Sequence, residues 1–270
     1  PGGLVAVAQV TSTADKEHNW RQCSALVRRA AAQGARLVFL PEGFDFIGTG
    51  AEQSLQLAEP LSGDIVGRYR ELASPLCVPM SPGCPQAPSV SPCPLHVPVS
   101  PGCQVVATYR KLHLFDAELP GGLALRESSF TNPGRELLPP IDTPVGKVGL
   151  AVCYDLRFPE LSQALREAGA QILTFPSAFT VPTGAAHWEV LLRARAIECQ
   201  CYVVAAAQTG WHHPGRASFG HSLVANPWGT VVAQCQEGPG LCLAQLDLGY
   251  LEKVRRELPV QGHRRGDIYG

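Results

Sequence analysis

Three windows of this sequence share one design: an apolar run closed by a single residue that can do chemistry. Residues 37–40 read Leu-Val-Phe-Leu, and Pro41 leads directly to Glu42. Residues 105–109 lead through Arg110 to Lys111, and residues 149–152 lead to Cys153, with polar residues following at once. A strand end presents a side chain on a rigid base at the rim of a sheet, where many α/β sites form. A nucleophilic cysteine needs its thiolate, and so a base or positive charge nearby. A carboxylate set straight after an apolar strand is partly desolvated and suits proton transfer near neutrality. A lysine at such a position offers positive charge to a developing oxyanion and to a thiolate. Each window alone has a plainer reading. Cys153 is one buried cysteine among ten, Glu42 a solvated loop carboxylate, and Lys111 a surface cation beside Arg110. His113 reads best as a core or supporting histidine. It is the coincidence of three windows that favours a composite site. No G-x-S-x-G, S-x-x-K, P-loop or G-x-G-x-x-G pattern competes with it.

The elements that must position these residues read as alternating strands and helices. Residues 4–10 form a short apolar run, residues 20–31 place apolar side chains at near-helical spacing before Gly34, and residues 37–40 form a second strand halted by Pro41. This rhythm implies α/β packing. Helices are expected over 51–57, 62–73, 159–168, 187–198 and 248–258. Strands are expected over 105–109, 148–153, 172–176 and 202–206, then a closing meander over 223–226, 231–235 and 241–247. Residues 75–103 break the pattern. Nine prolines fall between 75 and 101, and Val78-Pro-Met-Ser-Pro-Gly-Cys84 returns as Val97-Pro-Val-Ser-Pro-Gly-Cys103. Proline lacks the amide donor that strands and helices need, so this stretch is expected to be irregular or disordered.

Composition narrows the function classes. The chain has 270 residues, suiting one large domain or two small ones, with 45% hydrophobic and 17% charged residues, the profile of a chain that buries a core. Lys plus Arg number 22 against 23 Asp plus Glu, so no basic excess points to nucleic acid or an anionic membrane surface. No apolar run approaches the ~20 residues of a membrane span. Ten cysteines without a C-x-x-C pair argue against a zinc ribbon or thioredoxin motif and for a reducing, intracellular setting. The chain opens at Pro1, which reads as a trimmed start that would have removed any targeting peptide.

With these residues in hand, the sequence resembles the nitrilase superfamily of carbon-nitrogen hydrolases over residues 4–73 and 104–270. The resemblance rests on Leu-Pro-Glu42, Tyr-Arg-Lys111 and Val-Cys153-Tyr-Asp-Leu-Arg-Phe-Pro-Glu160, in that order. It implies a four-layer α-β-β-α sandwich, with 1–270 forming one hydrolase domain interrupted by the Pro-rich segment 75–103 where relatives carry two strands. Phe175-Pro-Ser-Ala-Phe179, residues 186–198, Ala205-Ala-Ala-Gln208 and Gly220-His-Ser222 resemble the branch that hydrolyses deaminated glutathione as a metabolite-repair step. The implied roles are nucleophile for Cys153, general base and acid for Glu42, and oxyanion stabiliser for Lys111 with a backbone amide near Tyr154. Glu127 matches a supporting glutamate, with a plain loop carboxylate weighed evenly against that role. Arg157, Phe179, Thr180 and His187 are the residues implied for substrate binding. No metal or organic cofactor is implied. The expected partners are a small linear amide and further copies of the chain, as a homodimer or larger homo-oligomer, in the cytosol with a mitochondrial form as well. The alternatives are an omega-amidase acting on 2-oxoglutaramate-type amides, and an inactive splice or gene-prediction product acting only within oligomers. Order in residues 75–103 separates the last from an enzyme.

Overall fold

The computed structural model describes residues 2–76, 80–86, 93–96, 105–119 and 123–269. The chain opens with β1 (Gly2–Val10), α1 (Lys16–Ala32) and β2 (Leu37–Glu42). α1 starts where the Asp15 side chain accepts from the His18 amide, and its Cys23, Leu26, Val27 and Ala30 form one buried stripe. α2 (Ala51–Leu57) and α3 (Asp64–Leu76) follow, then the strands β3 (Met80–Gln86), β4 (Cys93–His96) and β5 (Tyr109–Arg110). A hairpin of β6 (Asp116–Leu119) and β7 (Leu123–Arg126) leads to β8 (Ile141–Thr143) and β9 (Gly146–Leu150). The second half runs α4 (Pro159–Glu167), β10 (Ile172–Thr174), α5 (Val181–Cys199), β11 (Tyr202–Ala205), β12 (Ala207–His213) and β13 (Arg216–Phe219). It closes with β14 (Leu223–Ala225), β15 (Val231–Gln234), β16 (Gly240–Asp247), α6 (Leu248–Glu257) and α7 (Gly266–Tyr269).

One sheet has the order β13-β12-β1-β2-β3-β4-β5 with β16 also on β1; the other has the order β15-β14-β11-β10-β9-β8. Alternation along β1 and β2 sorts the layers. Val5, Val7, Leu37 and Phe39 enter a core with Val148, Leu150, Ile172 and Val204 of the second sheet. Ala6, Ala8, Val10, Val38 and Leu40 face α1 and α3 through Val27, Ile65 and Tyr69. Leu165 of α4 and Trp188, Leu192 and Ala196 of α5 join the core from beyond the second sheet. The result is the expected four-layer α-β-β-α sandwich.

Two expectations need correction, and the Pro-rich stretch gains detail. Within 75–103, α3 runs to Leu76, β3 pairs parallel with β2, and β4 links β3 to β5. Proline is accommodated there by position. Pro85 faces Pro94, past the last paired residue of β2 on one side and before the first paired residue of β4 with β5 on the other. Pro82 falls at the irregularity in the β2–β3 register, between Ser81 and Gly83. The rest of the Pro-rich stretch lies outside the described residues. Pro41 does not halt β2, because the register with β3 shifts between Phe39 and Glu42 and the irregularity absorbs it. Finally, β14 to β16 are not a meander. β16 crosses to the first sheet and pairs antiparallel with β1 from Gly2 to Gln9, an edge that β12 reaches only at Gln9 and Val10.

Candidate active site

Glu42 ends β2, Lys111 directly follows β5, and Cys153 opens a 3-10 turn, Cys153–Arg157, just beyond β9. β2, parallel to β1 in one sheet, and β9, parallel to β10 in the other, both lead to the same cavity. All three side chains line one cavity of about 120 Å³, and Glu127 joins them. Lys111 is only 2% exposed, and its Nζ donates to Glu42 Oε1 at 3.0 Å and to Glu127 Oε1 and Oε2 at 3.0 and 2.8 Å. Glu127 Oε2 also accepts from the Phe115 amide at 2.7 Å, which fixes the carboxylate against the loop after Lys111. Glu127 thus lies against Lys111 and is anchored by a backbone amide.

Burial opposes charge on Lys111, but Glu127, Glu42 and Cys153 outweigh it and hold the ammonium well above the ordinary lysine range. Burial raises Glu127 despite the pull of Lys111, and the neighbouring Glu42 charge adds to the rise. The Cys153 thiol is pushed far up, first by burial and then by the Glu42 carboxylate, with Lys111 and the Ala178 amide pulling the other way. At rest the site holds a protonated thiol against a carboxylate, with a permanent cation beside both. Such a set transfers a proton and stabilises negative charge on an acyl oxygen.

What aligns Lys111 with Cys153 is a residue the sequence reading passed over. Asp155 is completely buried, two residues beyond Cys153. Its carboxylate accepts from the Tyr109 hydroxyl at 2.7 Å, the Val152 amide at 2.9 Å, the His113 amide at 3.0 Å and His113 Nδ1 at 2.8 Å. Tyr109 and His113 straddle Lys111, so one carboxylate ties its strand end to the cysteine turn. His113 stacks on Phe158 at 3.6 Å, in the supporting place expected of it. Cys153 itself has φ +47, and its amide donates to Pro176 O at 3.0 Å. Gln208 was passed over as well. It is fully buried, and its Nε2 donates to the backbone carbonyls of Glu42 and Gly43, each at 3.0 Å. For Gln208 a signal was present, a polar residue closing the apolar run 203–207; Asp155, among other polar residues, carried none.

The residues expected to bind substrate gather elsewhere. Arg157 lies over the Tyr154 and Phe179 rings, 5.8 and 5.3 Å from their centroids, and its Nη1 is 3.3 Å from His187 Nδ1. Thr180 caps α5 by accepting from the Thr183 amide. None of Arg157, Phe179, Thr180 and His187 lines the cavity, whose apolar wall comes from residues such as Phe46, Ile47 and Phe115. Tyr154 does not line it either, but packs edge-on against Phe115 with centroids 5.0 Å apart. Among the described residues no group of three or more His, Cys, Asp or Glu side chains could hold a metal ion.

This arrangement has known counterparts. The family model for carbon-nitrogen hydrolases matches residues 4–256. The chain is 58% identical to the deaminated glutathione amidase of Bos taurus, over 99% of this chain and 83% of that protein. The crystal structure of the C. elegans NitFhit protein superposes with a TM-score of 0.95 at 48% identity, covering 99% of this chain and 66% of that one. An amidase from Nesterenkonia sp. AN1, seen with acrylamide added to its active-site cysteine, has a TM-score of 0.80 at 27% identity, covering 95% of this chain and 98% of that one. On the match across residues 4–256 and on these relatives, the chain belongs to the carbon-nitrogen hydrolase family.

Proposed function

We propose that this carbon-nitrogen hydrolase is an amidase that cleaves the amide of deaminated glutathione through a Cys153 thioester. The observation that carries the reading is a single cavity lined by Cys153 and Glu42 together, in which Lys111 is held between Glu42 and Glu127. Glu42 takes the thiol proton as Sγ attacks the amide carbonyl. The oxyanion draws on the Lys111 ammonium and on the backbone amide of Tyr154. Glu42 returns the proton to the departing amine, leaving the acyl group on sulfur. Water then gives its proton to Glu42 and attacks the thioester, releasing the acid and restoring the thiol. Glu127 keeps Lys111 charged and in place throughout. The substrate class follows from the similarity to the Bos taurus amidase.

The proposal extends to a homo-oligomer. α5 leaves Val190 and Ile197 exposed on its outer side, and Trp228 and Val232 are exposed as well. Gly229 packs on Ile197, which places the turn carrying Trp228 beside that helix. These exposed apolar side chains, set among charged ones, form a patch that a second copy of the chain would cover.

The deciding experiment follows product formation from deaminated glutathione beside 2-oxoglutaramate, with Cys153→Ala as control. Turnover of the first that vanishes in the control supports the reading. Faster turnover of 2-oxoglutaramate would replace it with the omega-amidase reading, and a folded chain inert toward both would overturn it.

A further inference from the structure

Arg216 opens β13 and lines the cavity that holds Cys153, yet the chemistry above makes no use of it. The charges around it are unbalanced for an anionic substrate. Two carboxylates, Glu42 and Glu127, share the single ammonium of Lys111. A third carboxylate, arriving with the substrate, would meet net repulsion unless another cation received it. Two arginines line the cavity. Arg126 pairs with Glu118 at 3.2 Å on the exposed β6–β7 hairpin. Arg216 is half-buried, and no acidic side chain among the described residues forms an ion pair with it.

Its mount is rigid. Gly215, with φ +108, turns the chain into β13. Two residues past Arg216, Ser218 hydrogen-bonds the buried His212 ring at 2.7 Å and bridges to Thr180. The Phe219 amide then donates to Phe179 O at 2.9 Å. A guanidinium on such a base suits planar, bidentate recognition of a carboxylate.

We infer that Arg216 receives a carboxylate of the substrate and sets the preference of this site for anionic over neutral linear amides. The inference rests on the amidase reading and deepens it. Deaminated glutathione carries a carboxylate at its 2-oxo acid end and another at its glycine end, and 2-oxoglutaramate carries only the first.

Arg216→Gln and Arg216→Lys are compared with the unaltered chain on both substrates and on butyramide, a neutral amide. For Arg216→Gln, kcat/KM on deaminated glutathione falls roughly 10- to 100-fold, mostly through KM, and Arg216→Lys recovers part of the loss. Butyramide loses far less. A loss shared with 2-oxoglutaramate assigns the 2-oxo acid end; a loss confined to deaminated glutathione assigns the glycine end. Equal losses on the charged and neutral amides, or none on any, overturn the inference. Calorimetric titration of Cys153→Ala with deaminated glutathione separates it from the amidase reading. Binding that weakens about tenfold on adding Arg216→Gln upholds the Arg216 role even in a chain that turns nothing over. Turnover with KM and binding indifferent to Arg216 rejects the Arg216 role alone.

Discussion

Cys153 is surrounded by the wrong charge for a resting thiolate. Burial and the Glu42 carboxylate both favour the thiol, so the ion forms only as Glu42 accepts the proton during attack. The ultraviolet thiolate signal of the chain minus that of Cys153→Ser is therefore expected to stay flat up to about pH 9, beyond the ordinary thiol range. A rise near neutrality would show a preformed thiolate and a different mechanism. Glu42→Gln removes the acceptor, and kcat should fall at least ~100-fold while the fold persists. Alkylation of Cys153 by iodoacetamide, followed by mass spectrometry, should slow in the same variant. Glu127→Gln keeps the shape but drops one of the charges holding Lys111, so kcat should fall by roughly 10- to 100-fold with KM little changed. If KM alone responds, Glu127 belongs to substrate binding.

The strand ends and turns around the cavity are locked together by a few buried polar groups. Asp155→Ala strips partners from the Tyr109 hydroxyl, the Val152 and His113 amides and the His113 ring at once. Unpaired buried donors each cost on the order of 1–3 kcal/mol, so a loss of about 3 kcal/mol or more in denaturant unfolding is expected. Activity should suffer beyond that loss, since Lys111 and Cys153 share this anchor. Helix α5 offers a test of packing with the sign reversed from ordinary experience. Glycine to alanine within a helix gains about 1 kcal/mol as a rule. At Gly184 a Cβ would stand 2.2 Å from the Cβ and Cγ of Phe219, so Gly184→Ala should lower the melting temperature instead. An unchanged or raised melting temperature would mean that β13 yields easily to α5.

Across the molecule, acid stability should depend on His212, which joins the β12–β13 hairpin to the loop after β1. Its Nδ1 faces the Ser12 carbonyl at 2.7 Å and must donate, so Nε2 accepts from the Ser218 hydroxyl. Burial is the main cause that lowers the ring from 6.5 to about 4. The unfolded chain then binds the proton more readily than the folded one between those values. The contribution is complete above pH 6.5 and is lost as pH falls toward about 4, at most roughly 3 kcal/mol. Urea midpoints of the chain and of His212→Gln should converge as the pH is lowered through this window. Parallel curves would mean that acid acts elsewhere. Self-association is testable at the same scale: sedimentation should give at least a dimer, weakened when Val190 and Ile197 are replaced together by Asp.

Much of this was legible in the linear chain because its signals are local. An apolar run ending at a reactive residue marks a strand delivering a side chain to a rim, and Glu42, Lys111 and Cys153 were found on that pattern. The near-helical spacing of Trp20, Cys23, Val27, Ala30 and Ala31 marked α1 for the same reason. Tertiary structure alone decided the rest, because pairing partners lie far apart in sequence. β16 finds its place on β1 through an edge left open by β12, and no window containing either strand encodes that vacancy. The prolines of β3 and β4 depend on register as well: Pro85 faces Pro94, and Pro82 falls at the irregularity between β2 and β3. Asp155 and Arg216 look ordinary in one dimension. The first matters because folding closes it around groups on both sides of Lys111, the second because a hairpin carries its charge to a cavity built from earlier, scattered parts of the chain.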